Sequence, residues 1–178
     1  MAERNCGPVY TITLEPPSAE IGSLAVQLHA RIETICAETN QPQLIIIAHS
    51  MGGLVTRAYM AEQGAQRIAT FVTLGTPHRG TRTALMGVGA CVRQMRWEGE
   101  WITALATRER AAKMPPTLSL YTTNDDLVYP PESSSLDWAE NMAVSGVGHV
   151  GLLFSANVAA RVAKFIRQCQ QGVPSTNT

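Results

Sequence analysis

The chain of 178 residues is poor in charge and in aromatic side chains, which make up 16% and 6% of it. Its 14 Lys and Arg are matched by 14 Asp and Glu, so no surplus of either sign draws it toward nucleic acid or an acidic membrane surface. Small or neutral substrates are the better expectation. No segment approaches the ~20 apolar residues of a membrane span. The opening "MAERNCGPVY" has neither the basic start nor the apolar stretch of a signal peptide, so the sequence as written is expected to stay soluble and cytoplasmic. The four cysteines, Cys6, Cys36, Cys91 and Cys169, are scattered, with no C-x-x-C pair and no histidine at ligand spacing. No structural metal is expected, and Cys36 and Cys169 read as small hydrophobes on helix faces. Internal repeats and low-complexity tracts are absent.

What is present is an alternation of β-rich runs with helix-period segments. The runs are "VYTITL" (9–14), "LIIIA" (44–48), "IATFVTL" (68–74), "TLSLYT" (117–122) and "MAVSGV" (142–147). The class is α/β, a mostly parallel sheet of about five strands with helices on both faces. One domain is expected over 1–171, followed by a disordered tail over 172–178. Ile21, Leu24, Ala25, Leu28, Ile32, Ile35 and Cys36 recur at helical spacing behind Ser18, a candidate N-cap. Val158, Val162, Phe165, Ile166 and Cys169 mark a last helix. In the less regular stretch from Thr76 to Pro116, Met95, Trp97, Trp101 and Leu105 predict one helix with an apolar side, which either packs on the core or walls a pocket.

Ser50, in "LIIIAHSMGG", stands where a strand ends and a helix begins. A hydroxyl that attacks a carbonyl must project from the sheet, and a tight strand-to-helix turn does this at the cost of backbone strain. Such a turn tolerates little bulk two residues to either side, and Ala48 and Gly52 occupy those positions, with Gly53 giving more room. The first N–H groups of the following helix can hold an oxyanion, that of Met51 first. The competing reading makes Ser50 a helix cap.

A serine nucleophile needs a base, and there are four histidines. His29 sits at the margin of a helix face. His49, next to Ser50, and His78, in "GTPHRG", are candidates for lining the cleft. His149, in "SGVGHVGLL", lies on a glycine-lined loop after the last strand and is the expected base. Two acids, Asp125 and Asp126, follow the strand before it, and spacing alone does not choose between them. The order serine, aspartate, histidine, each at the carboxyl end of a successive strand, is a triad order.

These residues resemble the α/β-hydrolase superfamily, and within it the small bacterial lipases and esterases of triacylglycerol lipase type. "AHSMGG" is similar to the nucleophile elbow of the minimal lipases, "VTLGTPHRGT" (72–81) to the loop after their next strand, and "GVGHVGLLFS" (146–155) to their histidine loop. "DDLVYP" (125–130) resembles their D-x-x-V-x-P motif and selects Asp125. The resemblance implies ester hydrolysis without cofactor, through an acyl-enzyme on Ser50, with His149 relaying protons, Asp125 orienting it and the Met51 N–H stabilising the oxyanion. His49, His78, Leu85, Met86, Trp97 and Trp101 are the candidates for contact with an ester or lipid substrate.

One part of the family pattern has no counterpart. A strand and an H-G loop precede the segment matching "VYTITL" in these lipases, and the loop gives a second oxyanion donor; only eight residues precede Val9 here. A start codon lying further upstream is the expected explanation. Loss of one donor implies activity lower by roughly 100- to 1,000-fold. The alternatives to an esterase are a remnant or binding module that keeps the fold without turnover, and acyl transfer or amide hydrolysis on the same scaffold. An exposed sheet edge would favour self-association.

Overall fold

The computed structural model describes residues 7–109 and 113–172. Four strands, β1 (Leu44–His49), β2 (Ile68–Leu74), β3 (Thr117–Thr122) and β4 (Glu140–Val144), form one sheet in chain order, with every neighbouring pair parallel. Among the described residues five α-helices accompany it: α1 (Ile21–Thr39), α2 (Met51–Gln63), α3 (Ala90–Gln94), α4 (Glu100–Glu109) and α5 (Ala156–Gln170). The α/β class and the parallel sheet stand as read, with four strands in place of five.

Two apolar layers lie against the sheet. In one, the stripe of α1 and the Leu54, Val55 and Ala58 face of α2 pack with Ala48, Phe71 and Leu105. In the other, Val158, Val162 and Phe165 of α5 pack on Val72, Leu74, Leu118 and Leu120. The period of two in the strands and of three to four in the helices makes this division, because each strand sends alternate side chains to opposite faces. Ile45 and Ile47 of β1 are left exposed, and among the described residues β1 is an edge strand paired only with β2.

Four expectations are corrected. "VYTITL" forms no strand: residues 9–14 have no ladder partner among the described residues, and only Leu14 packs against the core. β-branched residues favour a pleated surface but cannot make one without a neighbour to take their backbone groups. The segment is instead clasped to α1, where the Glu15 N–H donates to Gln27 Oε1 and Gln27 Nε2 donates to the Glu15 carbonyl. Ser18 does not cap α1; Glu20 holds the N-cap position, and Asn40, at φ 54°, ends the helix. β4 stops at Val144, so Ser145–Val147 belong to the loop. The stripe Met95, Trp97, Trp101, Leu105 is divided between two elements, because the chain turns through Glu98 at φ 49° between α3 and α4.

Cys36 and Cys91 are buried and Cys169 packs at the margin of the α5 layer; Cys6 and residues 173–178 of the expected tail lie outside the described residues. Among the described residues no helix is long and apolar enough to cross a membrane.

Candidate active site

The carboxyl ends of β1, β2, β3 and β4 bring the four segments that follow them together. Ser50 follows β1 with φ 53° and ψ −130°, a conformation that non-glycine residues rarely adopt. Its side chain makes no cap hydrogen bond to α2, so the capping role is unfilled. Three backbone contacts hold the turn: the Ser50 N–H donates to the Leu74 carbonyl at 2.9 Å, and the Ser50 carbonyl accepts from Gly53 N–H at 3.1 Å and from Thr76 Oγ1 at 2.8 Å. Met51 opens α2, so its N–H belongs to the first turn, which has no intrahelical acceptor.

The small residues around Ser50 serve different purposes. A Cβ on Gly52 would meet the Ala48 methyl at 3.7 Å, an ordinary contact. A Cβ on Gly53 would lie 2.2 Å from Thr76 Oγ1, so Gly53 is the position without room. This reverses the expectation from spacing.

Asp125 and His149 meet in a buried pair. His149 Nδ1 donates to Asp125 Oδ2 at 2.9 Å, with both side chains almost fully covered. The other carboxylate oxygen accepts from the Leu127 N–H at 3.0 Å and the Val128 N–H at 2.7 Å. Burial alone would raise the Asp125 carboxyl, but the hydrogen bonds from His149, Val128 and Leu127 outweigh it and hold the carboxyl below its ordinary value. Asp126 is exposed. With Nδ1 donating, Nε2 of His149 is left as the acceptor nitrogen; it is buried and without a hydrogen-bond partner among the described residues.

Two neighbours fix where His149 stands. Gly75, at φ 59°, lies under the imidazole, where a Cβ would come within 3.1 Å of Nδ1 and Cε1. His49 donates from Nε2 to the His149 carbonyl at 3.2 Å, and the two ring centroids are 4.6 Å apart. Burial lowers the His49 pKa, which keeps that ring neutral, its Nε2–H free to donate. The histidine loop is tied to the acid loop as well: Thr122 Oγ1 donates to the Val147 carbonyl, and the Gly146 N–H to Asn124 Oδ1.

His78 does not line this cleft. It is buried in a polar chain between α2 and the sheet, and that chain fixes its tautomer. Ser119 Oγ donates to the Ser134 carbonyl and Thr73 Oγ1 donates to Ser119, so Thr73 accepts from His78 Nε2–H at 3.0 Å. His78 Nδ1 then faces Arg57, which pairs with Glu109 out of solvent. Desolvation, and then the Arg57 charge, hold His78 well below its ordinary pKa.

Nor do Leu85, Met86, Trp97 and Trp101 gather into one wall. Leu85 and Met86 are exposed on a 3-10 turn (Arg82–Met86), Trp97 lies under the Arg82 guanidinium, and Trp101 packs on the α1/α2 core. Two surface hollows, of about 610 Å³ along α4 and about 280 Å³ between β4 and α5, are lined by none of these candidates. Sequence reading missed Gly75, Thr76 and the contact of His49 with His149. No local signal marks these three, since their partners stand 23 to 100 residues away.

A family model described as a PGAP1-like alpha/beta domain matches residues 23–143. A triacylglycerol lipase of Pseudarthrobacter phenanthrenivorans is 41% identical over 58 residues, 33% of this chain and 18% of that protein. A triacylglycerol lipase of Burkholderia plantarii is also 41% identical over 58 residues, here 16% of that protein. The match thus spans less than a fifth of either relative. Among solved structures, the mature form of the Bacillus licheniformis lipase BlEst2 superposes with a TM-score of 0.72 at 12% identity, over 86% of this chain and 76% of that one. The parallel sheet and flanking helices described above are those of a shortened α/β-hydrolase fold, and the chain belongs to the PGAP1-like alpha/beta domain family.

Proposed function

We propose that the chain is a carboxylic ester hydrolase of lipase or esterase type that works through Ser50, His149 and Asp125. The observation that carries this reading is the buried Asp125–His149 pair, which leaves His149 Nε2 as a free base on the side of the sheet where Ser50 is held in its strained turn.

In this reaction Ser50 Oγ attacks the ester carbonyl while its proton passes to His149 Nε2. The carbonyl π pair becomes the oxyanion, which the Met51 N–H receives at the positive end of α2. Collapse expels the alcohol, which takes the proton from His149, and leaves Ser50 acylated. Water then attacks the acyl-enzyme with His149 again as base, releasing the acid. Asp125 keeps the proton on Nδ1 and stabilises the imidazolium; its lowered pKa keeps it charged throughout. His49 holds His149 in place through the carbonyl contact. The triacylglycerol lipase relatives favour a lipid or other ester substrate.

Hydrolysis of p-nitrophenyl butyrate that disappears in Ser50→Ala is the expected result, with fluorophosphonate labelling lost in the same variant. One observation favours a fold without turnover, namely that no hydrogen bond joins Ser50 to the buried His149 Nε2. Absence of labelling in a folded chain would support that second reading and sink the first.

A further inference from the structure

The chain is neutral as a whole but not segment by segment. From Arg79 to Trp97 it carries four arginines, Arg79, Arg82, Arg93 and Arg96, and no aspartate or glutamate. All four are exposed. Asp137 engages Arg79 at 3.2 Å, while Arg82, Arg93 and Arg96 form no ion pair among the described residues. Two exposed acids, Glu98 and Glu100, follow directly after Trp97, and Asp126 and Glu132 are exposed on the adjoining loop, so the arginine run is bounded by acids but not interrupted by them.

Between the arginines lie the most exposed apolar side chains of that region: Leu85 at 63%, Met86 at 94% and Val88 at 96%. They are not on a loose loop. Thr83 Oγ1 donates to the Leu127 carbonyl at 2.6 Å, the Arg82 N–H to the Tyr129 carbonyl, and the Tyr129 N–H to Thr81 Oγ1. These bonds strap the segment to the loop that carries Asp125 and set Leu127 and Tyr129, each about half exposed, beside the apolar tip. Large apolar side chains clustered in water mark a surface with an absent partner.

We propose that this arginine-flanked rim docks on an anionic lipid bilayer. Met86 and Val88 enter the acyl boundary, and the guanidinium groups of Arg82, Arg93 and Arg96 meet phosphate oxygens, for which their planar donor sets are suited. A nucleic acid would satisfy the arginines but offers no apolar phase for Met86 and Val88. The proposal rests on the ester-hydrolase reading only for its consequence, that docking brings the Asp125 loop to the lipid; the docking itself needs no Ser50.

The test uses the full chain carrying Ser50→Ala, so that the lipids are not consumed, in flotation with phosphatidylcholine vesicles made with or without phosphatidylglycerol. Binding at least about tenfold tighter to the anionic vesicles is expected, weakening with salt. Val88→Asp, and separately the pair Arg93→Glu and Arg96→Glu, should each abolish that preference. All three sites are exposed, and circular dichroism checks that the variants fold. Equal binding to both vesicles, no binding, or binding that survives these substitutions overturns the proposal; so does a dimer that Val88→Asp dissolves in a chain that ignores vesicles. Fluorophosphonate labelling of the unaltered chain reports separately on the hydrolase reading, so either can fail without the other.

Discussion

Ser50 is held in a backbone conformation that costs a non-glycine residue of the order of 1–3 kcal/mol, and the structure opposes this cost with two contacts from β2 and the loop after it, Leu74 and Thr76. Gly53→Ala puts a methyl into the space of Thr76 Oγ1. We predict a loss of about 1–3 kcal/mol in urea denaturation, with a fall in kcat from the displaced turn. Gly52→Ala, which meets only an ordinary contact, should be much milder in both assays. His49→Phe keeps a ring against His149 but removes the N–H donor. About a tenfold drop in kcat with little change in KM is expected; unchanged kcat would mean that His49 only packs. At this scale the sequence was informative where chemistry is local: a serine between small residues, an acid after a strand, a histidine among glycines. It could not assign Gly53 to Thr76 or His49 to His149, because those pairings exist only once the sheet has formed.

Among the elements, α2 and α4 are joined by an ion pair from which water is excluded. Glu109→Ala leaves the Arg57 guanidinium buried without its counter-ion, and a loss of about 3–5 kcal/mol in denaturant unfolding is expected. The double variant Arg57→Met, Glu109→Leu should recover most of it, since no charge then remains to be desolvated. β1 makes a different prediction. It is an edge strand, uncharged along its length, with Ile45 and Ile47 open to solvent, and such edges pair with other chains. Ile47→Lys should reduce concentration-dependent association in analytical ultracentrifugation; identical behaviour would remove β1 from consideration. Helices α1, α2 and α5 and the four strands were legible because their apolar periods span a dozen residues or a complete run. "VYTITL" misled because β propensity describes a side chain, whereas a strand is a relation between two segments. The tryptophan stripe misled in the same way, since a period of four continues through sequence where the chain itself turns at Glu98.

For the whole molecule, acidity is the variable that the buried groups make informative. Desolvation lowers the folded-state pKa of both His78 and His49 below 6.5. As pH falls through about 6.5 the unfolded chain takes up protons that the folded chain refuses, so stability falls. Asp125 acts in the lower range: its folded pKa is below the unfolded value, so its contribution is complete above about 3.8 and is lost as pH drops through the folded value. Urea midpoints from about pH 8 down to about pH 3 should therefore decline in two stages. In His78→Asn the first stage should flatten, and an unchanged profile would show that His78 does not govern it. The relation between fold and site was readable at this scale too. Successive parallel strands deliver their loops to one edge, so the order of motifs along the chain becomes their proximity in space. The front of the chain was less legible, because what residues 9–14 do depends on neighbours that their own sequence does not name.

The segment Leu74–Thr76 has a further consequence for heritable variation. Leu74 and Thr76 grip the turn of Ser50, and Gly75 between them is the floor beneath His149. Ser50 and His149, the proposed nucleophile and base, therefore share one three-residue foundation, and a change there would be inherited as two defects at once. Selection on either residue acts on both, so divergence within the family should spare this tripeptide while the surrounding loops drift.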